Sequence, residues 1–203
     1  MYLIKTPWWL RLIYGSFLWR VKTQEKVLYL TFDDGPQEAV TPFVLDQLNK
    51  YKAKATFFCI GNNIVKNGAI YQRVLDEGHS VGNHTFHHLN GWKVKSAAYV
   101  NDVVEAEKYI DSTLFRPPYG RITKFTAALL QQKGFSIIMW DVLSADFDTS
   151  ISPEQCLQNV LLHAKEGSII VFHDSAKAWD RMSYALPLLL AHYTSKGFSF
   201  KAL

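Results

Sequence analysis

Cysteine is almost missing from this chain of 203 residues: Cys59 and Cys156 are the only two, and they show no C-x-x-C spacing. Both sit in apolar surroundings, so they read as reduced core thiols and not as a disulfide framework or a thiolate metal site. Net charge is small, at +4, and Lys and Arg are scattered without a basic stripe. That composition argues against nucleic acid as a partner. No apolar run reaches the ~20 residues that a membrane-spanning helix needs. The longest stretch near the start is Leu12 to Trp19, because Lys5, Pro7 and Arg11 interrupt what precedes it. The same region lacks the basic start and small-residue cleavage site of a secretory signal. Low-complexity tracts, linkers and repeats are also absent. With 48% hydrophobic and 20% charged residues, the chain is a globular one of a length that suits one domain.

Residues 1–26 stand apart from the rest. They read either as a short cap over the bottom of the fold or as an aromatic-rich interfacial segment, with Trp8, Trp9 and Trp19 at headgroup depth. Neither reading exports the chain, so a cytoplasmic location is expected, peripheral at the inner membrane face if residues 1–20 contact lipid.

From Val27 onward, β-rich apolar runs alternate with helical patterns. Strands are expected at 27–32, 55–60, 79–83, 114–116, 135–140, 168–172 and 198–202, and helices at 42–51, 70–76, 97–110, 123–133, 153–164 and 184–196. Thr41-Pro42 and Ser152-Pro153 read as N-cap plus first-turn proline, and Gly78, Gly134, Gly167 and Gly197 as stops before strands. Seven strands alternating with helices predict a parallel α/β sheet covered on both faces. Polar residues follow successive strands at their C-terminal ends: Asp33-Asp34, His84-His88, Arg116, Asp141 and His173-Asp174. In a barrel those ends ring one cavity. In an open sheet they would spread along an edge. A compact seven-stranded (β/α) barrel over 27–203 is therefore expected.

Asp33 and Asp34 close the first strand. Neighbouring side chains on a strand face opposite ways, so one carboxylate can bind a metal while the other handles a proton. His84 and His88, four apart, have a spacing that can put two imidazoles on one helical face, and His87 at three apart is open by the same argument. One Asp and two His leave coordination positions for water, the layout of a catalytic metal. The pattern predicts a metal-dependent hydrolase.

Thr31-Phe32-Asp33-Asp34-Gly35-Pro36, His84-Thr85-Phe86-His87-His88, Arg116-Pro117-Pro118-Tyr119-Gly120 and Val171-Phe172-His173 resemble, in order and spacing, the polysaccharide deacetylases of carbohydrate esterase family four. The resemblance covers residues 27–203 and implies a distorted seven-stranded barrel that removes acetyl groups from an acetylated glycan or amino sugar. It implies that Asp34, His84 and His88 hold a divalent metal, that Asp33 is the general base and His173 the general acid, and that Arg116 orients the base. The Tyr119 N–H resembles the oxyanion donor. Pro118, Tyr119, Trp140 and Asp146 are the candidates on the substrate side, with Trp92 and Trp179 as further aromatic faces. Zinc suits the mixed N/O donors best, and cobalt, nickel or manganese fit them too. In the family's fourth motif this chain departs: Leu143 stands where an aspartate tuning the acid histidine is expected, and Phe147 replaces a Trp. Asp141 or Asp146 is left to partner His173. The departure keeps open hydrolysis of a non-sugar amide or imide on the same barrel, beside a non-catalytic glycan-binding module.

Overall fold

A computed structural model describes residues 2–203. All seven foreseen strands are present, and an eighth joins them: β1 (Val27–Asp33), β2 (Ala55–Cys59), β3 (Ser80–Asn83), β4 (Leu114–Phe115), β5 (Ser136–Ile137), β6 (Val142–Leu143), β7 (Ile169–His173) and β8 (Ser199–Phe200). The order is β5-β4-β3-β2-β1-β7-β6, parallel throughout, with β8 beside the first two residues of β1. β6 escaped the sequence reading because two apolar residues carry no periodicity. The expected strand 135–140 shortens to β5 because its later residues turn to another partner. Leu18 N–H donates to Ile137 C=O at 2.9 Å, and Met139 N–H to Leu18 C=O at 2.7 Å.

β5 and β6 do not pair with each other, so the sheet curls into a half-open, distorted barrel of seven strands. The N-terminal segment spans the gap: Thr6 N–H donates to Asp141 C=O (3.0 Å) and Leu143 N–H to Ile4 C=O (2.8 Å). Lys5 Nζ reaches the buried Asp141 carboxylate at 2.7 Å, and Arg11 grips the same group. Between these contacts α1 (Trp8–Ile13) buries none of its residues. Among the described residues no helix is long and apolar enough to cross a membrane.

Strand alternation sorts the rest. Leu28, Leu30 and Phe32 of β1 join Phe57 and Phe172 on the face covered by helices, and Phe32 stacks on both aromatic rings. Thr31 and Asp33 take the other face, toward the barrel interior, with Phe58 and Ile169 from the flanking strands. The covering helices are α2 (Thr41–Lys50), α3 (Gly61–Lys66), α4 (Gly68–Asp76), α5 (Ser96–Glu107), α6 (Lys124–Gln132), α7 (Pro153–Leu161) and α8 (Trp179–Ser195). α8 begins earlier than its pattern suggested, because Met182, Ala185 and Leu186 are buried ahead of Pro187. Ser152 caps α7 as expected, accepting from Gln155 N–H at 3.2 Å. Thr41 does not cap α2; its hydroxyl is engaged by Asp174 instead.

Candidate active site

Asp33 ends β1 facing inward, level with Phe58 of β2 and His173 of β7. Its carboxylate accepts from Arg116 Nη1 at 2.7 Å. Arg116 follows β4 and is fully buried. Nη1 also donates to Thr31 Oγ1 (2.6 Å), Nε to Ile138 C=O (3.2 Å) and Nη2 to Met139 C=O (3.0 Å). The guanidinium lies 4.1 Å from the Phe58 ring centre. With its fork occupied on every side, it holds Asp33 in one orientation.

Asp34 leaves the strand through a left-handed φ of 82°, which turns its side chain toward the neighbouring loop. A cradle behind the turn enforces this. Asp174 Oδ1 accepts from Gly35 N–H at 3.0 Å, and Asp174 Oδ2 from the Thr41 hydroxyl at 2.5 Å. A Cβ at Gly35 would lie 1.9 Å from Asp174 Oδ2, so only glycine fits. Burial pushes the Asp174 carboxyl up to about 8, against the Thr41 hydrogen bond and with help from the charge of Asp34. Along the chain Asp174 stands out only as a polar residue at the end of a strand. Its use as the cradle acid depends on Thr41 arriving from another element.

His84 and His88 do not share a helical face. Residues 84–90 form a loop after β3, with Thr85 and His88 at φ 64° and 57°. Those two left-handed residues bring the rings together, 5.1 Å between centres. His84 is buried, and its Nδ1–H donates to Arg116 C=O at 2.8 Å, leaving Nε2 as a free lone pair. Burial lowers its pKa to about 4, the interaction with Asp33 opposing, so the ring is neutral at neutral pH. Asp34 Oδ1 lies 3.2 Å from His88 Nε2 and 3.7 Å from His84 Nε2, yet it is buried without a hydrogen-bond partner. Burial pushes the Asp34 carboxyl up, but the imidazoles of His88, His173 and His84 outweigh that and hold it well below the usual carboxylate range. Donor atoms of Asp34, His84 and His88 all fall within 4.8 Å of one another. A carboxylate oxygen and two imidazole nitrogens converging without bonding each other fit a divalent cation. His87 points away, its Nδ1 paired with Asp102 at 2.5 Å.

Across the cavity, His173 Nδ1 donates to Asp146 Oδ1 at 2.7 Å, and Asp146 Oδ2 accepts His173 N–H at 2.7 Å. The histidine's partner is therefore Asp146, while Asp141 serves Lys5, Arg11 and Ser168. Burial opposes charge on His173, but the charge and hydrogen bond of Asp146 prevail, with Asp34 and Asp33 adding, and its pKa rises to about 10. The sequence offers Asp146 both as a substrate contact and, beside Asp141, as a partner of His173. Asp146 has no exposed surface and sits behind the imidazole.

Tyr119 is exposed, and its ring lies 4.6 Å from that of His88. It sits in a 3-10 turn at φ 61°. The turn's own bonds run from Gly120 N–H to Pro117 C=O (2.9 Å) and from Arg121 N–H to Pro118 C=O (3.1 Å), so they do not use the Tyr119 N–H. Pro118, the first residue of the turn, is buried. Trp140 is half-buried, packed among core residues and against Gly120. Trp92 and Trp179 are exposed at the rim, the latter edge-on to Phe43.

The sequence model of the polysaccharide deacetylase family matches residues 20–138, more than half of the chain. This chain belongs to that family. A peptidoglycan-N-acetylglucosamine deacetylase of Bacillus cereus is 33% identical over 192 residues, covering 92% of this chain and 90% of the relative. The peptidoglycan-N-acetylmuramic acid deacetylase PdaA of Bacillus subtilis is 29% identical over 195 residues, covering 89% and 71%. Among solved structures, a peptidoglycan N-acetylglucosamine deacetylase in complex with a naphthalenyl N-oxidanyl-benzamide superposes with a TM-score of 0.89 at 30% identity, covering 98% of this chain and 95% of that one. His173 and Asp146 lie beyond the stretch that the family model matches. The barrel nevertheless delivers them to the cavity that holds the deacetylase motifs.

Proposed function

We propose that this chain is a metal-dependent deacetylase of N-acetylated amino sugars in a glycan, and that the glycan is peptidoglycan-like, as for its relatives. The observation that carries the reading is the buried, unpartnered Asp34 Oδ1 facing two imidazole nitrogens, with Asp33 on one side and His173 on the other. Asp34, His84 and His88 would hold the cation, zinc by donor chemistry, with cobalt, nickel or manganese able to use the same set. Such a cation supplies Lewis acidity toward the acetyl carbonyl and toward water.

The chain's own groups do the rest. Asp33, pinned by Arg116, accepts a proton from the attacking water as its oxygen bonds to the acetyl carbon. The Tyr119 N–H donates to the carbonyl oxygen as negative charge builds there. An amine leaves poorly without a proton, so His173, kept protonated by Asp146, delivers one to the nitrogen as the C–N bond breaks. Acetate and a free amino sugar result. Asp146 fills from a new position the role that Leu143 leaves vacant, which favours the sugar reading over an altered amide chemistry. A readout of acetate release over a panel of N-acetylated sugars, with and without chelator, tests this. Activity should vanish with chelator and return with zinc. Asp33→Asn should lose roughly 100-fold or more while metal content stays stoichiometric. Chelator-insensitive release, or full activity in Asp33→Asn, would overturn the assignment.

A further inference from the structure

Outside the metal cavity, the chain's most lopsided feature is a lip without acidic residues. Neither residues 78–101 nor residues 112–140 contain a single Asp or Glu. These stretches meet at the mouth of the site. Gly91 packs against the backbone of Arg121 and Ile122, and Ser96 accepts from the Thr126 hydroxyl at 2.8 Å, joining the first turns of α5 and α6. Lys93, Lys95, Arg121 and Lys124 are all exposed there, and none has an ion-pair partner among the described residues. Neither helix carries an acidic residue in its first turn to offset its positive end.

Trp92 stands in this lip and is 63% exposed. Its position is set, since Nε1–H donates to Ile122 C=O at 3.3 Å and the Arg121 guanidinium lies 5.1 Å from the ring centre. Arg121 is two residues past Tyr119, at most roughly 7 Å along a chain that turns there, and Tyr119 rests on His88. An aromatic plate and, over it, a guanidinium with no ion-pair partner among the described residues thus lie one step out from the reacting centre. Indole faces accept sugar rings through apolar contact. A planar guanidinium recognises carboxylate by paired hydrogen bonds.

Resting on the deacetylase reading, we propose that Trp92 and Arg121 form a subsite for a carboxylate-bearing sugar next to the one deacetylated. The indole carries the ring, Arg121 binds the carboxylate, and Lys93, Lys95 and Lys124 supply a positive field around it. The chain is thereby built for an anionic glycan, one with lactyl or peptide carboxylates, in preference to a neutral chitin-type oligomer. Four cations without an ion-pair partner among the described residues, with Lys124 over the Tyr14 ring at 5.4 Å, and no acid on the lip favour an anion, where a neutral glycan would need the plate alone.

The test uses a peptidoglycan tetrasaccharide with free lactyl carboxylates and the same molecule as its methyl ester. Acetate release and calorimetric binding are both followed, for the full chain and for Arg121→Met and Trp92→Ala. The free acid should bind the unaltered chain more tightly than the ester by roughly three- to tenfold, and the gap should narrow with salt. Arg121→Met should erase that gap by raising KM for the free acid while leaving kcat unchanged. Trp92→Ala should weaken binding of both ligands. Equal affinity for acid and ester, or an Arg121→Met variant that keeps the gap, overturns the subsite. Preference for the acid without acetate release would leave the subsite standing and remove the deacetylase reading.

Discussion

Replacing Asp146 by Asn isolates the device that keeps the proposed acid charged. Asp146 gives His173 two contacts of 2.7 Å, one to Nδ1 and one to the backbone N–H, and raises the imidazole pKa to about 10 in spite of burial. Against the ordinary 6.5 that difference corresponds to roughly 5 kcal/mol. A cation bound at Asp34 would repel the imidazolium and take back part of it. In Asp146→Asn the charge is gone while burial remains, so the imidazole pKa falls, with only Asp34 and Asp33 left to raise it. With the imidazole back at the ordinary 6.5 its protonated fraction at pH 8 is roughly 3%, so kcat/KM should fall by up to about 30-fold there while recovering toward pH 6. Asparagine also has only one carbonyl oxygen for two donors. Its amide NH2 must face either Nδ1–H or N–H, a mismatch of ~1–3 kcal/mol. The sign for stability follows from the raised value: in the unaltered chain the pair stabilises fully below about pH 6.5 and the contribution is lost as pH rises toward 10. The assay is the pH profile of acetate release from pH 5.5 to 10, paired with urea unfolding at pH 6 and pH 9. An alkaline limb that stays put in Asp146→Asn would refute the proposed acid.

Further outcomes follow from the packing. Gly35→Ala places a methyl group into the Asp174 carboxyl, so it should cost ~3 kcal/mol or more and lower metal affinity by displacing Asp34, read by urea melts and metal titration. Arg116→Met removes four hydrogen bonds and leaves Asp33 buried without a counter-charge. Unfolding should be easier by ~3–5 kcal/mol, and a melt within 1 °C of the unaltered chain would contradict the network described.

Much of the fold was legible along the chain. β1 and β7 are long apolar runs buried on both faces, the signature of central parallel strands, and each ends in acidic or imidazole residues. The short strands were harder. β6 has two residues, and its pairing with β7 rests on hydrogen bonds to partners almost thirty residues away. The N-terminal segment's seat between β5 and β6 involves bonds spanning more than a hundred residues, such as Leu143 to Ile4. Local pattern carries no record of those.

By itself, the sequence determined that catalytic-type residues gather at one end of a parallel barrel, because right-handed crossovers return every strand in the same direction. It also supplied the residue types of the metal set. Only the tertiary structure decided which of the alternatives come together in space. The family resemblance already pointed to His88; left-handed turns at Thr85 and His88 bring its ring to Asp34, and Asp102 takes His87 out of reach. The N-terminal Lys5 and Arg11 claim Asp141 and leave Asp146 to His173. Those choices belong to backbone torsions and to contacts between distant segments, where the energy of burying a charge is settled by whichever partner the fold brings within reach.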